Sequence, residues 1–580
     1  MLREALAQQF EGIRYTSART EDATAETENW LRENQTAICG AVVTFSDIRA
    51  RIPILLKENN ELTIIQVHGK HVKKNHSTLF DNVPLGRPLH RYLLMAAYRR
   101  FVLQQVMPEA EIRCLFMFPQ KSFKAETERL YQKTQGVREI KPHALRELKK
   151  LFATVDGTHA AGRVMKNISG EFSHSTFSGL PVSGAVKKMQ SIPDGGEKVY
   201  VESVHEACKN CDFRRSFNGN QPGCWDMYFS DSEVINSDRH QFDLIGHHVE
   251  SEAVHLQMYQ EKYSLTENLS TPEKVIHHTG KKIAIYHRKA MQLLDAKNQK
   301  LPLVFAKENI RKIKEIEYPV HFLDFEAAAH AVPFEKGKRP YDPVLFQFSC
   351  HTLFKNGELK HTQWLDQGIN SQVHPELISK LSQIPEFYKG TIIQYSGFER
   401  QALNRLYRET RRIMPEGSSE LKILEQLLQV KKRRPAQRFL DLSLILRDGY
   451  YNRFMNNGLS LKQVLHAIIT AESKLRTWDK TEYDVMDKMI DLFRKDGQGI
   501  IINPYHQLSD ERSRIQDGIT AMHAYLCLKA GTLSEKQKIL VPVLLRRYCS
   551  MDTLALYLIF IHLLNITKTG NSLGDLVIEG

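Results

Sequence analysis

The segment Tyr318-Pro-Val-His-Phe-Leu-Asp-Phe-Glu326 is rich in aromatic and β-branched residues and therefore predicts a β-strand. Side chains two residues apart on a strand point to the same face, so Phe322, Asp324 and Glu326 should lie side by side. Neighbouring carboxylates are typical ligands of hard divalent cations. An Asp-x-Glu pair is common by chance, so the interpretation depends on the sequence around it.

The residues that follow predict the rest of an α/β domain. An apolar run from Pro343 to Phe354 predicts a second strand, and Asn356-Gly357 just beyond it is a strong signal for an antiparallel hairpin. The remaining predictions are a helix over 373–381, a short strand over 391–395 and a helix over 399–412. The predicted order is βββαβα, with the acidic pair on the first strand.

Two further acidic residues belong to elements predicted in the same half of the chain. Glu399 closes Tyr395-Ser-Gly-Phe-Glu399 at the start of a helix, and Asp552 closes Tyr548-Cys-Ser-Met-Asp552. The sequence from Arg547 to about Leu564 predicts one helix, on which a spacing of four residues places Tyr548 and Asp552 on the same face. Four carboxylates suit two divalent ions, and hard oxygen ligands favour Mg²⁺ or Mn²⁺.

Taken together, these motifs resemble those of DEDD-type 3′→5′ exonucleases, whose domain has a ribonuclease H-like fold. The resemblance implies that Asp324 and Glu326 form the first motif, Glu399 the second, and Tyr548 with Asp552 the third. It implies that the four acids bind two metal ions and that Tyr548 holds the attacking water, as in the tyrosine (DEDDy) branch. The second motif departs from the family in having Ser396 where relatives often have Asn, and Glu instead of Asp.

The whole chain resembles an uncharacterised bacterial family that fuses such a domain to an amino-terminal RecB-like module. That module is a nuclease of the PD-(D/E)XK type and carries an iron–sulfur cluster. The implied organisation is a RecB-like module over 1–230, a helical connector over 231–315 and an exonuclease domain over 316–580. Because domains typically contain about 150 residues, a chain of this length is also expected to form several units.

The amino-terminal module is predicted to be inactive. Residues 50–68 predict a hairpin with a turn at Glu58-Asn-Asn-Glu61. Active relatives have Asp on the first strand of this hairpin and Glu-x-Lys on the second. The corresponding positions here are Pro53, Gln66 and His68, which supply no negative charge for a metal ion. We therefore expect a scaffold or DNA-holding module.

Three of the 8 cysteines form a cluster with chelating spacing. Cys208-Lys-Asn-Cys211 and Cys224 provide soft thiolate ligands in a loop that contains Gly, Asn and Pro. The family resemblance implies a 4Fe–4S cluster here, with its fourth ligand missing or replaced. Alternatively, His205 and the three cysteines form a zinc site, or the loop is a remnant without metal. The other five cysteines are predicted to be core residues: Cys39 in a strand over 37–45, Cys114, Cys350, Cys527 and Cys549.

Charge and hydropathy indicate the partner and the compartment. The net charge of +13 means that the surface on average attracts polyanions, so nucleic acid is the expected partner. The longest apolar stretch, Thr553–Leu564, is too short to cross a bilayer and is predicted to be core. The amino terminus lacks the apolar region of a signal peptide, so we expect a cytoplasmic protein without a membrane partner.

Three other segments have more than one interpretation. Asp441 is predicted to cap a helix or to lie near the acidic site. Arg339 either contacts phosphate or solvates a turn. Residues 415–435 predict a basic insert or a flexible loop.

The sequence thus predicts a metal-dependent 3′→5′ exonuclease that acts on nucleic acid, with DNA preferred. Two alternatives stay open at this stage. One is a non-catalytic subunit that binds nucleic acid or a protein partner in a defence or repair complex, and the other is a 3′ exonuclease of RNA. Anti-phage defence, CRISPR adaptation and repair are all possible settings.

Overall fold

A computed structural model gives the fold as a mixed α/β protein. It describes residues 7, 9–69, 79–80, 88–127, 142–168, 179–190, 304–305, 312–367, 373–430, 438–455, 458–475, 478, 480–497, 499–508 and 515–568. The predicted cysteine cluster with His205, and nearly all of the predicted connector, lie outside these residues. The domain boundaries at 230 and 315 therefore stay predictions.

The described residues divide into two compact units. One unit takes its residues from Met1–Val199, Ala329–Val344 and Lys529–Thr532. The other takes them from Tyr200–Ala328, Leu345–Leu528 and Leu533–Gly580.

A six-stranded sheet is the centre of the first unit. Its strands, in spatial order, are β1 (Arg14–Tyr15), β2 (Gln35–Cys39), β5 (Ile54–Glu58), β6 (Glu61–Val67), β7 (Glu111–Pro119) and β8 (Phe152–Asp156). The strands β3 (Val42–Phe45) and β4 (Ile48–Arg51) form a separate hairpin. The helices are α1 (Thr20–Trp30), α2 (Pro88–Val106), α3 (Pro142–Leu151), α4 (Thr158–Lys166) and α5 (Val182–Gln190). Strands β5 and β6 are antiparallel, whereas β6 and β7 are parallel and joined through α2.

The hairpin predicted in this unit is confirmed. Glu58 pairs with Glu61 across a two-residue turn, and Asn59 takes the left-handed conformation (φ 53°) that such turns require. Its first strand begins at Ile54, because Ile48–Arg51 belongs to β4 instead. The single strand predicted over 37–45 is wrong, since Gly40 (φ 83°) separates β2 from β3.

The second unit contains a five-stranded sheet in the order β12-β11-β10-β13-β14. These strands are β10 (Val320–Ala328), β11 (Val344–Leu353), β12 (Leu359–Leu365), β13 (Thr391–Gln394) and β14 (Phe439–Asp441). Two short strand pairs are described besides: β9 (Val304–Phe305) with β15 (Tyr450–Tyr451), and β16 (Glu482–Asp484) with β17 (Met489–Asp491), both antiparallel. The helices are α6 (Val373–Leu381), α7 (Phe398–Ile413), α8 (Ser419–Leu428), α9 (Leu442–Gly449), α10 (Leu461–Leu475), α11 (Gly518–Lys529) and α12 (Glu535–Lys568). The predicted βββαβα order is confirmed from β10 to α7, and β11 and β12 form the predicted antiparallel hairpin.

Helix α12 covers the face of β10 that carries the acidic pair. The ring of Phe322 lies 5.5 Å from that of Phe560 and 5.6 Å from that of Tyr557. Because Phe322, Asp324 and Glu326 alternate with residues of the other face, this packing turns both carboxylates toward α12. The helix has the length and hydropathy of a membrane span, but 78% of its apolar window is buried, as predicted for a core helix.

Two further predictions concern loops. The Asp441 carboxylate accepts from the amide of Ser443 at 2.9 Å, so its predicted role as a helix cap is confirmed. The loop predicted over 415–435 is wrong in part, because Ser418 caps α8 within it. Arg339 lies in a turn closed by its amide and the Asp342 carboxylate at 2.9 Å, and its contact with phosphate stays a prediction.

Gly390 fixes the start of β13 beside β10. It has φ +66°, and a Cβ placed there would lie 1.9 Å from the carbonyl oxygen of Pro319. Gly357 in the β11–β12 turn has φ +88° with nothing within 4 Å of such a Cβ.

We expect Gly390→Ala to lower the free energy of unfolding by more than about 2 kcal/mol, because it adds a backbone clash to the left-handed strain of about 1 kcal/mol. Gly357→Ala is the matched control, and its free energy of unfolding should fall only by the amount due to the left-handed backbone strain. Denaturant midpoints of the two variants measure the difference, and equal midpoints would contradict the close approach of Gly390 to Pro319.

Candidate metal centre

Three carboxylates meet where β10 and α12 pack together. One oxygen each of Asp324, Glu326 and Asp552 lie within 4.8 Å of one another. Glu326 and Asp552 are buried and Asp324 is half-buried. Like charges this close repel unless a cation or protons neutralise them, so the arrangement is typical of a site for a divalent ion.

Glu399 adds a fourth carboxylate to this cluster. It lies in the first turn of α7, is 3% exposed, and interacts electrostatically with Asp324 and Asp552. Its Oε2 atom has no hydrogen-bond partner among the described residues. A buried carboxylate oxygen without a donor is unfavourable unless a ligand contacts it, which makes Glu399 a fitting metal ligand.

Hydrogen bonds from β11 hold α12 against the sheet around Asp552. Gln347 donates to the carbonyl of Leu545 at 2.9 Å. The hydroxyl of Thr553 lies 2.8 Å from both Ser349 Oγ and His351 Nδ1. Thr553, the residue after Asp552, is thus fixed by two side chains of β11. The Asp552 carboxylate therefore keeps its position relative to Asp324.

Burial raises the pKa of every acid in the cluster, and repulsion by neighbouring acids adds to this rise for Glu326, Glu399 and Asp552. Burial raises the pKa of Asp324 to about 6, although the Cys549 thiol donates to Oδ2 at 3.2 Å and works against this rise. Burial and then Asp324 raise the pKa of Asp552 to about 8. Burial and the neighbouring acids hold the pKa of Glu326 and Glu399 well above their usual range. Strongly shifted carboxyls in one cluster are typical of a functional site.

Two tyrosines lie against Asp552. Tyr505 donates its hydroxyl to Oδ1 at 2.5 Å, and the hydrogen bond from Tyr548 also works against the rise in the pKa of Asp552. Burial and the acids raise the pKa of both phenols, so both hydroxyls stay neutral. Tyr548, predicted as a site residue, is therefore at the cluster, and its neutral hydroxyl donates to Asp552.

Lys462 of α10 brings a positive charge to the cluster. Its Nζ lies 4.5 Å from the ring centroid of Tyr548 and 4.9 Å from that of Tyr505. Burial lowers the pKa of this ammonium, while Asp552, Asp517, Glu326 and Asp324 oppose that effect.

The structure places the sequence-predicted residues as follows. Asp324, Glu326, Glu399, Asp552 and Tyr548 come together, and Asp441 lies close enough to influence the pKa of Glu399 while capping α9. Cys208, Cys211, Cys224 and His205 lie outside the described residues. Sequence reasoning missed Tyr505 and Lys462, and it treated Cys549 as a core residue although its thiol contacts Asp324.

In the amino-terminal unit, the three positions of the predicted inactive site hold no carboxylate. Gln66 is 1% exposed and its Oε1 accepts a hydrogen bond from Arg99. His68 stacks on Tyr92 with ring centroids 3.7 Å apart. Among the described residues, the acidic group of the second unit is the candidate metal site, and Gln66 and His68 belong to no such group.

Comparison with known proteins adds one match. Residues 321–460 match a protein family described as Domain of unknown function (DUF2779). The match spans less than half of the chain and includes Asp324, Glu326 and Glu399 but neither Tyr548 nor Asp552. No curated protein and no solved structure matches the chain significantly.

The raised pKa values predict how the stability of the metal-free protein depends on pH. A carboxyl whose pKa is higher in the folded than in the unfolded state stabilises the fold fully below about pH 4, and this contribution is lost as the pH rises through the folded pKa. The loss therefore begins near pH 4 and is complete near the folded value, which is about 6 for Asp324 and about 8 for Asp552.

We therefore expect Asp552→Asn to raise the Tm of the metal-free protein at pH 8.5 by a few degrees, to raise it less at pH 5 and to have little effect at about pH 4. Mn²⁺ should recover the stability of the wild type at pH 8.5 but act more weakly on the variant. Glu416→Gln, at an exposed position, is the control for loss of one acid. A lower Tm of Asp552→Asn at pH 8.5 would contradict the repulsion among the acids.

We also expect Lys462→Met to bind Mn²⁺ about tenfold more tightly, since it removes a positive charge that repels the ion. Isothermal titration calorimetry at pH 8.5 measures the affinity for Mn²⁺. Lys536→Met, exposed on α12, removes the same charge away from the cluster and should leave the affinity unchanged. Weaker binding by Lys462→Met would mean that the ammonium orients the acids.

Proposed function

We propose that the second unit is a metal-dependent 3′→5′ exonuclease of nucleic acid, with DNA as its preferred substrate. The observation that carries the proposal is the convergence of Asp324, Glu326 and Asp552 from a strand and a late helix, with Glu399 beside them. The sheet order β12-β11-β10-β13-β14, with β10, β13 and β14 parallel, is the order expected of a ribonuclease H-like domain, and Asp324 and Glu326 lie on its central strand.

The donor set suits Mg²⁺ or Mn²⁺, because it consists of carboxylate oxygens without sulfur or imidazole. A pair of such ions would supply activation of a water and stabilisation of the leaving oxygen of a phosphodiester. Asp324, Glu326, Glu399 and Asp552 would hold them. The neutral hydroxyl of Tyr548 would orient the attacking water by a hydrogen bond.

Lys462 has a role in this proposal that the sequence did not suggest. Its ammonium lies at the same cluster and would contact a non-bridging oxygen of the phosphate, opposing the charge that develops there. Tyr505 would keep Asp552 in position through its hydrogen bond. The net charge of +13 favours binding of the polyanionic substrate without sequence preference.

The test is a time course on 5′-labelled single- and double-stranded DNA and RNA with Mg²⁺, Mn²⁺ or a chelator. The wild type should shorten DNA stepwise from the 3′ end, and Asp324→Asn should lower the rate by at least about a hundredfold through loss of a metal ligand. Glu416→Gln, which removes one acid from an exposed position, should retain the wild-type rate.

The other outcomes discriminate the alternatives. Shortening of RNA alone would identify a ribonuclease and overturn the preference for DNA. Binding without cleavage by folded protein in Mg²⁺ and Mn²⁺ would overturn the exonuclease and favour a nucleic-acid-binding subunit. Cleavage that Asp324→Asn leaves unchanged would place the active site elsewhere.

A further inference from the structure

Arg99 of the first unit has no counterion among the described residues. Its Nε donates to the carbonyl of Arg51 at 2.8 Å, and its Nη1 donates to Gln66 Oε1. No carboxylate of the described part of the chain contacts it. Burial lowers the pKa of Arg99 to about 10, and no acid opposes that effect. A partly buried guanidinium paired with neutral oxygens alone is unfavourable unless an anion joins it.

Two side chains near Arg99 have a nitrogen that can donate a hydrogen bond and has no partner among the described residues. These are Nε2 of Gln66, and Nε2 of His68 in the tautomer that carries the proton there. Arginine can only donate, so the oxygen of the Gln66 amide must face it and the NH₂ group must face away. That Nε2 atom belongs to a side chain 1% exposed and has no partner among the described residues. The buried Nε2 of His68 is likewise without a partner. Arg99 itself keeps three N–H groups beyond the two in use.

The fold brings these donors together at the end of β6. Leu62, Ile64 and Gln66 share one face of the strand with His68, and the apolar members of this face are core residues. Tyr92 and Arg99 lie seven residues apart on α2 and therefore on one side of the helix. The ring of Tyr92 stacks on His68, and Arg99 reaches Gln66. Both side chains are thus held in place before any ligand binds.

We propose that Arg99, Gln66 and His68 form an anion site that takes a phosphate group without a metal ion. The unused N–H groups beside Gln66 and His68 match the oxygens of a phosphate, and the guanidinium fork can donate two parallel hydrogen bonds to it. At the positions of the predicted inactive nuclease site, the chain therefore presents a fixed cation and amide donors. The phosphate comes either from a nucleic-acid backbone or from a free phosphate compound. This inference does not depend on the exonuclease activity.

The first experiment measures the Tm of the full-length protein against inorganic phosphate, with chloride at equal ionic strength and no divalent metal. Phosphate should raise the Tm of the wild type. Arg99→Met should weaken the apparent affinity at least about tenfold, in line with loss of a charged hydrogen bond. Arg91→Met removes the same charge from an exposed position of α2 and should respond like the wild type.

Gln66→Glu keeps the proposal testable if Arg99→Met fails to fold. It places a carboxylate against Arg99, so it should raise the Tm without phosphate and abolish the response to phosphate. A wild type that gains no stability from phosphate, or a Gln66→Glu variant that responds like the wild type, would overturn the site.

The second experiment identifies the source of the phosphate. Fluorescence anisotropy measures binding of a labelled single-stranded oligonucleotide to the Asp324→Asn protein, which should not cut it, with and without Arg99→Met. Weaker oligonucleotide binding in the Arg99 variant, and competition by inorganic phosphate, would assign the site to the nucleic-acid backbone. Unchanged oligonucleotide binding together with an Arg99-dependent phosphate response would support a site for a free phosphate compound.

Discussion

The repulsion among buried carboxylates is the constraint on which the second unit depends. Asp324, Glu326 and Asp552 are held within 4.8 Å by a strand and a helix that pack through apolar residues, and Glu399 faces them from a third element. In the metal-free protein burial raises all four pKa values, and repulsion by neighbouring acids raises those of Glu326, Glu399 and Asp552 further, so the acids retain protons to a higher pH. Bound cations would neutralise the repulsion among the ionised carboxylates at neutral pH, so the arrangement favours metal binding.

The packing around this cluster explains how the fold tolerates the unfavourable repulsion among its carboxylates. Phe322 anchors β10 to α12 on the face that carries the acids, and the hydroxyl of Thr553 is fixed by Ser349 and His351. The acids cannot separate without breaking these buried contacts. Lys462, Tyr505 and Tyr548 lessen the repulsion, yet they leave Glu399 Oε2 without a hydrogen-bond partner among the described residues.

Local patterns were sufficient to predict much of this arrangement. Alternation along β10 placed Asp324 and Glu326 on one face, and Asn356-Gly357 predicted the hairpin. Lys462 and Tyr505 could not be found in this way, because their elements carry no repeating pattern that identifies them and they reach Asp552 only through the tertiary fold. The break at Gly40 was missed because the residues on both sides are apolar, so periodicity could not separate two strands of different sheets.

The two units use charge in opposite ways. The second unit gathers acids that a cation would neutralise, whereas the first presents Arg99 with neutral oxygens beside the unpartnered donors of Gln66 and His68. One arrangement fits a metal ion and the other a phosphate group. The proposed nuclease would use both sites, since phosphate contacts contribute affinity for nucleic acid and metal ions contribute to its cleavage.

The most direct test of the central claim is anomalous diffraction from crystals of the protein soaked in Mn²⁺. The account predicts two peaks about 3.5–4 Å apart, contacted by the carboxylates of Asp324, Glu326 and Asp552, with Glu399 at one of them. Absence of Mn²⁺ from these carboxylates in crystals that bind it elsewhere would contradict the account.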